Sequence, residues 1–175
     1  LFVTLGARGT PQALFASLSQ RGNTTIGKVV RLTPDGGIPA DNPFVGRDTV
    51  LPEVYSLGHR NAQAAALDPR TGGLWTVEHG ARGGDELNLV RPGRNHGWPV
   101  ISYGRNYDNS PIGIGTEAPG LDQPTYWWDP VIAPSGATFV SGDRYPGWRG
   151  ALLVGGLGVR RLVRLHLDFA RRDQR

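Results

Sequence analysis

The stretch that decides the fold runs from Gln63 to Val90 and reads QAAALDPRTGGLWTVEHGARGGDELNLV. A run of small residues ends at Leu67, and a glycine-rich turn leads into the apolar residues 74–80. A second glycine-rich loop then leads into residues 86–90. Short apolar runs bounded by Gly, Pro and Asp are typical of β-strands joined by turns. The stretch therefore predicts a small antiparallel sheet, of the kind that forms a propeller blade.

The same order recurs on both sides of this stretch as a loose internal repeat. Residues 1–6 and 152–156 each form a short apolar run ending at glycine, and residues 28–32 and 161–167 supply the next strand. A leading strand, residues 136–140, precedes the last copy, whereas the first copy has none. The sequence predicts an all-β chain with about three blades of a propeller, truncated at both ends. A β-sandwich is the alternative fold.

Composition excludes several classes of function. The 175 residues include no cysteine, which excludes disulfides and thiolate metal sites. Apolar runs are too short for a membrane span. The net charge of +4 comes from the arginines of residues 160–175, so it indicates no basic groove for nucleic acid. We expect a partial propeller over residues 1–168 and a basic tail over residues 169–175.

Two loops carry side chains suited to binding a ligand. Arg60 and Asn61 offer a guanidinium fork and an amide to a planar anion, or they are polar residues that cap backbone groups. Residues 78–86 combine three glycines with acidic neighbours. Carbonyl and carboxylate oxygens are the ligands of Ca²⁺, although a turn with a surface salt bridge has the same composition. The four histidines lack the spacing of a zinc site.

Aromatic residues are concentrated in two further segments. Rings beside polar groups can stack on sugars, but they more often pack in a core. We expect Trp98 to pack between blades. We also expect at least one of Tyr126, Trp127 and Trp128 to lie in the core.

Taken in order, four segments resemble the glucose/sorbosone dehydrogenase family, most closely its bacterial soluble aldose sugar dehydrogenases. They are Gly58-His59-Arg60-Asn61, residues 78–88 (EHGARGGDELN), residues 93–99 (GRNHGWP) and Ala133-Pro134-Ser135-Gly136. The resemblance covers residues 1 to about 168. It implies a six-bladed propeller that binds pyrroloquinoline quinone (PQQ) and Ca²⁺, and that oxidises an aldose sugar at its anomeric carbon to the lactone. It also implies a periplasmic or secreted protein, as a monomer or a dimer.

The resemblance assigns ligand contacts by position. Arg60 and Asn61 match the pair that contacts PQQ. Tyr126 falls near an aromatic residue that the family places beside the substrate.

The resemblance also implies two Ca²⁺ sites. The backbone carbonyls of Gly80 and Ala81 match ligands of the catalytic ion, and Ala81 stands where proline is usual. Glu86 and the carbonyl of His96 match a second, structural site, where tyrosine is commoner than histidine.

Three departures from the family pattern concern catalysis. The catalytic histidine of the family is expected upstream of Leu1, so no catalytic residue is assigned within this chain. Ala7 replaces an acidic residue, and Gly158 replaces a lysine that binds PQQ in some members. We expect the chain alone to lack dehydrogenase activity. The alternative is a non-catalytic propeller of the same family that serves as a binding module.

Overall fold

A computed structural model describes residues 1–6 and 17–168. Their regular elements are the strands β1 (Phe2–Leu5), β2 (Lys28–Arg31), β3 (Val54–Leu57), β4 (Ala62–Leu67), β5 (Leu74–Glu78), β6 (Asp85–Val90), β7 (Tyr126–Trp128), β8 (Pro134–Phe139), β9 (Leu152–Gly156) and β10 (Arg161–Leu165). Neighbouring strands are antiparallel and follow chain order in three sheets: β1-β2-β3, β4-β5-β6-β7 and β8-β9-β10. The prediction of an all-β chain is confirmed.

The three sheets lie side by side as the blades of a propeller do. The first strand of the second sheet, β4, packs against β8 of the third sheet and also contacts β1 of the first. Meandering sheets that meet through their leading strands are the blade arrangement, and the prediction of a partial propeller is confirmed. Two outer strands, β3 and β7, were not predicted from the sequence. Ala7 and the basic tail, residues 169–175, lie outside the described residues.

The interface between the second and third sheets is apolar. Its buried members come from both sheets: Ala64, Trp75, Val77, Leu87, Ile132, Phe139, Leu152 and Val154. Each large apolar side chain that leaves water contributes about 1.5–3 kcal/mol. This interface therefore holds the two sheets firmly together.

The interface between the first and second sheets changes character along its length. At one end Val29 packs against Leu74 and Val90. Towards the other end the buried side chains become polar, and they include Ser56, Thr76, Glu78 and Asn88. Buried polar groups are stable only when hydrogen-bonded, so packing at this end of the interface depends on individual hydrogen bonds.

A long connection, residues 91–125, joins β6 to β7 and runs along the same interface. Its residue Asn95 pairs with Leu57, and Arg105 pairs with Arg82 in the loop after β5. Trp98, in this connection, is buried in a small cluster with Ala81 and Ile112, as predicted for a ring that packs between blades. None of the described residues belongs to a helix long and apolar enough to cross a membrane.

Candidate functional site

Strand directions bring several connections to the same end of the strands. We call this end of the sheets the rim. Ala62, the first residue of β4, pairs with Glu78, the last of β5, and Glu78 pairs with Glu86 near the start of β6. The loops between β3 and β4 (residues 58–61) and between β5 and β6 (residues 79–84) therefore emerge together.

The Arg60 loop and the Gly80 loop are bonded to each other. Asn61 O accepts the N–H of His79 (3.0 Å). The guanidinium of Arg60 donates to His79 O at 3.0 Å and to the Tyr107 hydroxyl at 3.4 Å. It also lies over the ring of Trp98, 5.3 Å from its centroid. The structure thus brings together the two loops that sequence analysis singled out.

Beneath Arg60 lies a buried carboxylate, Glu78. Its Oε2 accepts the main-chain N–H of Arg60 (2.8 Å), while Oε1 accepts Asn88 Nδ2 (2.7 Å) and pairs with His59 Nδ1 (3.0 Å). His59 Nε2 bonds Ser56 Oγ at 2.8 Å. Burial opposes ionisation of Glu78, but the charge and hydrogen bond of His59 outweigh it and lower the pKa of Glu78 to about 2.

A second, partly buried carboxyl group, Glu86, lies beside Glu78. Burial, reinforced by the charge of Glu78, raises the pKa of Glu86 to about 8. Like charges on directly paired residues of neighbouring strands repel, so a cation between them would be stabilising. Both side chains line a cavity of about 10 Å³, together with His96 and Arg60. A space of this size holds one particle as large as a water molecule or an ion.

His96 lies at the same cavity and is stacked against His59, with ring centroids 4.5 Å apart. Burial and the neighbouring His59 lower the pKa of His96 to about 3. Neither ring nitrogen finds a hydrogen-bond partner among the described residues. The ring of His96 is thus an uncompensated polar group in the wall of this cavity.

The loop after β5 is a tight turn anchored by Asp85. A Cβ on Gly80 would lie 2.0 Å from the carbonyl oxygen of Gly83, so the turn requires glycine here. Asp85 Oδ1 accepts the N–H of Gly80 (2.8 Å). Its Oδ2 accepts the N–H groups of Ile132 (2.7 Å) and Ala133 (2.8 Å) in the connection after β7. One carboxylate therefore fixes two rim loops from different sheets.

These residues suit Ca²⁺ by their donor chemistry. No three His, Asp or Glu side chains in the described part of the chain gather as metal ligands. An ion would therefore rely on backbone oxygens, such as those of the folded-back Gly80 turn, or on the partly buried Glu86 carboxyl group together with backbone oxygens. Such oxygen sets are what Ca²⁺ prefers.

The structure does not bring Tyr126 together with these loops. Tyr126 lies in the outer strand β7 and is 48% exposed. It lines a separate cavity with Leu165 and His166. Among its neighbours, Trp127 is stacked on Tyr103 at 4.2 Å and is also exposed, whereas Trp128 packs against the core from a partly buried position.

One further position belongs to the rim. Gly158, in the turn after β9, donates its N–H to Ile132 O (3.0 Å). No role for Glu78 or Asp85 was evident from the sequence. In the sequence they are charged residues on either side of the loop that joins two apolar strands. A charged residue in such a position is as readily exposed as buried.

The fold and the rim together define a class: part of a β-propeller whose candidate ligand site lies on the loops at one end of the strands. The family model for Glucose / Sorbosone dehydrogenase matches residues 1–175, and the chain belongs to that family. The resemblance stated from the sequence is confirmed.

Individual relatives support this assignment. The aldose sugar dehydrogenase YliI of Escherichia coli is 42% identical over 133 residues, which are 75% of this chain and 36% of that protein. A crystal structure of a glucose dehydrogenase superposes with a TM-score of 0.90 at 44% identity, over 95% of this chain and 47% of that one. The PQQ-bound aldose sugar dehydrogenase of Streptomyces coelicolor gives 0.72 at 31% identity, over 96% and 42%. The chain spans about half the length of these relatives or less.

Proposed function

We propose that this chain forms part of a PQQ- and Ca²⁺-dependent dehydrogenase that oxidises aldose sugars at the anomeric carbon to lactones, in the periplasm or outside the cell. The observation that carries the proposal is the bonding of the Arg60 loop to the Gly80 loop on one rim. A cationic fork and a folded-back, glycine-rich turn lie side by side there. An anionic quinone and a divalent cation require that combination.

Each rim residue has a defined task in this proposal. Arg60 and Asn61 bind and orient the anionic cofactor, and the Trp98 ring beneath Arg60 holds the guanidinium flat. The carbonyls of Gly80 and Ala81 hold the catalytic cation, while Glu86 and the carbonyl of His96 hold the structural one. PQQ, when bound, supplies the acceptor for two electrons from the sugar. Tyr126 remains a proposed substrate contact.

A second candidate function is a non-catalytic propeller that binds ligands. It is favoured by Gly158, which brings no cationic side chain to the rim at a position where some family members have lysine. Under either function we propose that the chain alone does not turn over sugar, because none of its residues is assigned as the proton acceptor. Turnover of glucose by the purified chain with PQQ, Ca²⁺ and an artificial electron acceptor would contradict this.

The binding test compares two arginines of the same sheet. Arg70 lies in the turn between β4 and β5, at the opposite end from the rim, and pairs with Asp68. Losing a charge-assisted hydrogen bond costs about 1.5–3 kcal/mol, so R60A is expected to raise the Kd for PQQ, measured by equilibrium dialysis with Ca²⁺, about tenfold or more. R70A should leave the Kd unchanged.

Two results would refute the proposal. One is a wild-type chain that binds no PQQ at micromolar concentration, which would remove the cofactor assignment. The other is equal Kd values for the wild type, R60A and R70A, which would remove Arg60 from the site.

A further inference from the structure

The buried side chains of His59 and Glu78 form a hydrogen-bonded pair directly behind the Arg60 loop. The exposed fractions of the two side chains are 1% and 4%. They come from different parts of the fold, since His59 follows the first sheet and Glu78 ends the central strand of the second. A pair this deep can act on a ligand of Arg60 through the residues that it holds.

The residue that the pair holds is Arg60. The second oxygen of the Glu78 carboxylate accepts the main-chain N–H of Arg60 at 2.8 Å. His59 and Asn88 occupy the first oxygen, so the carboxylate cannot rotate without breaking three hydrogen bonds. Glu78 therefore fixes the backbone of Arg60, from which the guanidinium extends.

The His59 side of the pair is equally constrained. The Ser56 hydroxyl is hydrogen-bonded to Nε2 of His59, and the main-chain N–H of His59 donates to Gly27 O (3.0 Å). Gly58, just before it, has a φ of +77° and accepts the N–H of Trp98 (2.9 Å). The same short loop thus aligns Arg60 with the ring over which its guanidinium lies.

We propose that His59 and Glu78 are positioning residues for Arg60: the buried pair sets the backbone of the loop so that the guanidinium lies over Trp98 and faces an anionic ligand. This inference rests on the proposed function for the identity of the ligand, PQQ. The positioning itself is a property of the unliganded chain. Each can therefore fail separately.

The experiment uses the 175-residue chain with E78Q as the test variant and D68N as the matched control. Asp68 is also a buried carboxylate of the second sheet, but it lies at the far end from the rim and binds Arg70. The first measurement is the ¹⁵N order parameter of Arg60 Nε by NMR relaxation. The second is the Kd for PQQ in the presence of Ca²⁺, for each variant and for each combined with R60A.

E78Q is expected to lower the order parameter of Arg60 Nε from a value typical of an ordered group to that of a flexible side chain. It should also raise the Kd about tenfold, because the ligand must then order the arginine itself. In the R60A background E78Q should add no further loss. A general weakening of the fold would instead add to R60A. D68N should change neither quantity. H59Q, which keeps the Arg60–Glu78 bond, should give a smaller change in the same direction and stands in if E78Q does not fold.

The positioning inference is overturned if Arg60 is equally ordered in the wild type, E78Q and H59Q, or if E78Q weakens PQQ binding as much with R60A as without it. A wild-type chain that fails to bind PQQ overturns the proposed function instead. In that case the order parameter of Arg60 still decides the positioning inference.

Discussion

Replacing Asp85 by Asn tests whether one carboxylate holds the rim together. Its two oxygens accept three N–H groups: those of Gly80 and Ile132, which are buried, and that of Ala133, which is partly buried. Asparagine keeps one acceptor oxygen and turns an NH₂ group towards the remaining N–H. Leaving that donor unpaired costs about 1–3 kcal/mol, and the other two bonds lose the strengthening by charge. We expect D85N to lower the free energy of unfolding by about 3 kcal/mol in total.

The assay combines urea unfolding with amide hydrogen exchange. D85N should speed exchange at Gly80, Ile132 and Ala133 more than elsewhere, because local opening of the two loops becomes easier. D68N serves as the control: it weakens the Asp68–Arg70 contact at the far turn but should leave protection at these three amides unchanged. A D85N variant within 0.5 kcal/mol of the wild type, an approximate limit for neutral surface changes, would refute the reasoning. Unchanged protection at all three amides would do the same.

Three more predictions follow from single residues. Burial lowers the pKa of Lys28 to about 8, so the native state binds this proton less tightly than the unfolded chain does. The free energy of unfolding should therefore rise by about 2.5 kcal/mol between pH 7 and pH 10, and urea titrations of K28M should lack this rise. G58A should lower the free energy of unfolding, measured by urea titration, by about 2 kcal/mol more than G36A does. Both glycines have positive φ, but only a Cβ on Gly58 would meet another residue, at Asn95 Oδ1. Equal losses of stability in the two variants would contradict this steric reason. Burial raises the pKa of Glu86 to about 8, so its carboxyl group is largely neutral without metal. E86Q should then lower the free energy of unfolding by less than about 1 kcal/mol. Ca²⁺ should raise the Tm of the wild type and not that of E86Q.

The sequence indicated most strands because their apolar runs are local features. β5 and β9 are apolar and end at or near glycine, and the structure has them where the repeat predicts them. β3 and β7 have only four and three residues, and they are strands because β2 and β6 offer them an edge to pair with. Pairing of this kind depends on tertiary structure and leaves little trace in a short segment.

The candidate site was predictable as a set of loops and not as a network. The order of motifs placed Arg60 and the Gly80 turn together, and the structure joins them. The Glu78–His59 contact spans 19 residues and two sheets, so no spacing rule shows it. Composition alone would place a glutamate at the end of a strand in solvent, whereas Glu78 is buried because the first sheet covers it.

The position of the site follows from the contrast between the two interfaces. Carboxylates, imidazoles and amides are buried between the first and second sheets. They contribute little net stability, because the free energy of desolvating them offsets most of the free energy gained from their hydrogen bonds. The apolar interface on the opposite face of the second sheet, around Trp75 and Leu87, is where burial is favourable. The second sheet is thus anchored on one face and is free to carry polar groups on the other. A site that needs fixed charges is accordingly built at the rim above the polar interface, where Arg60 and Glu86 meet the same cavity.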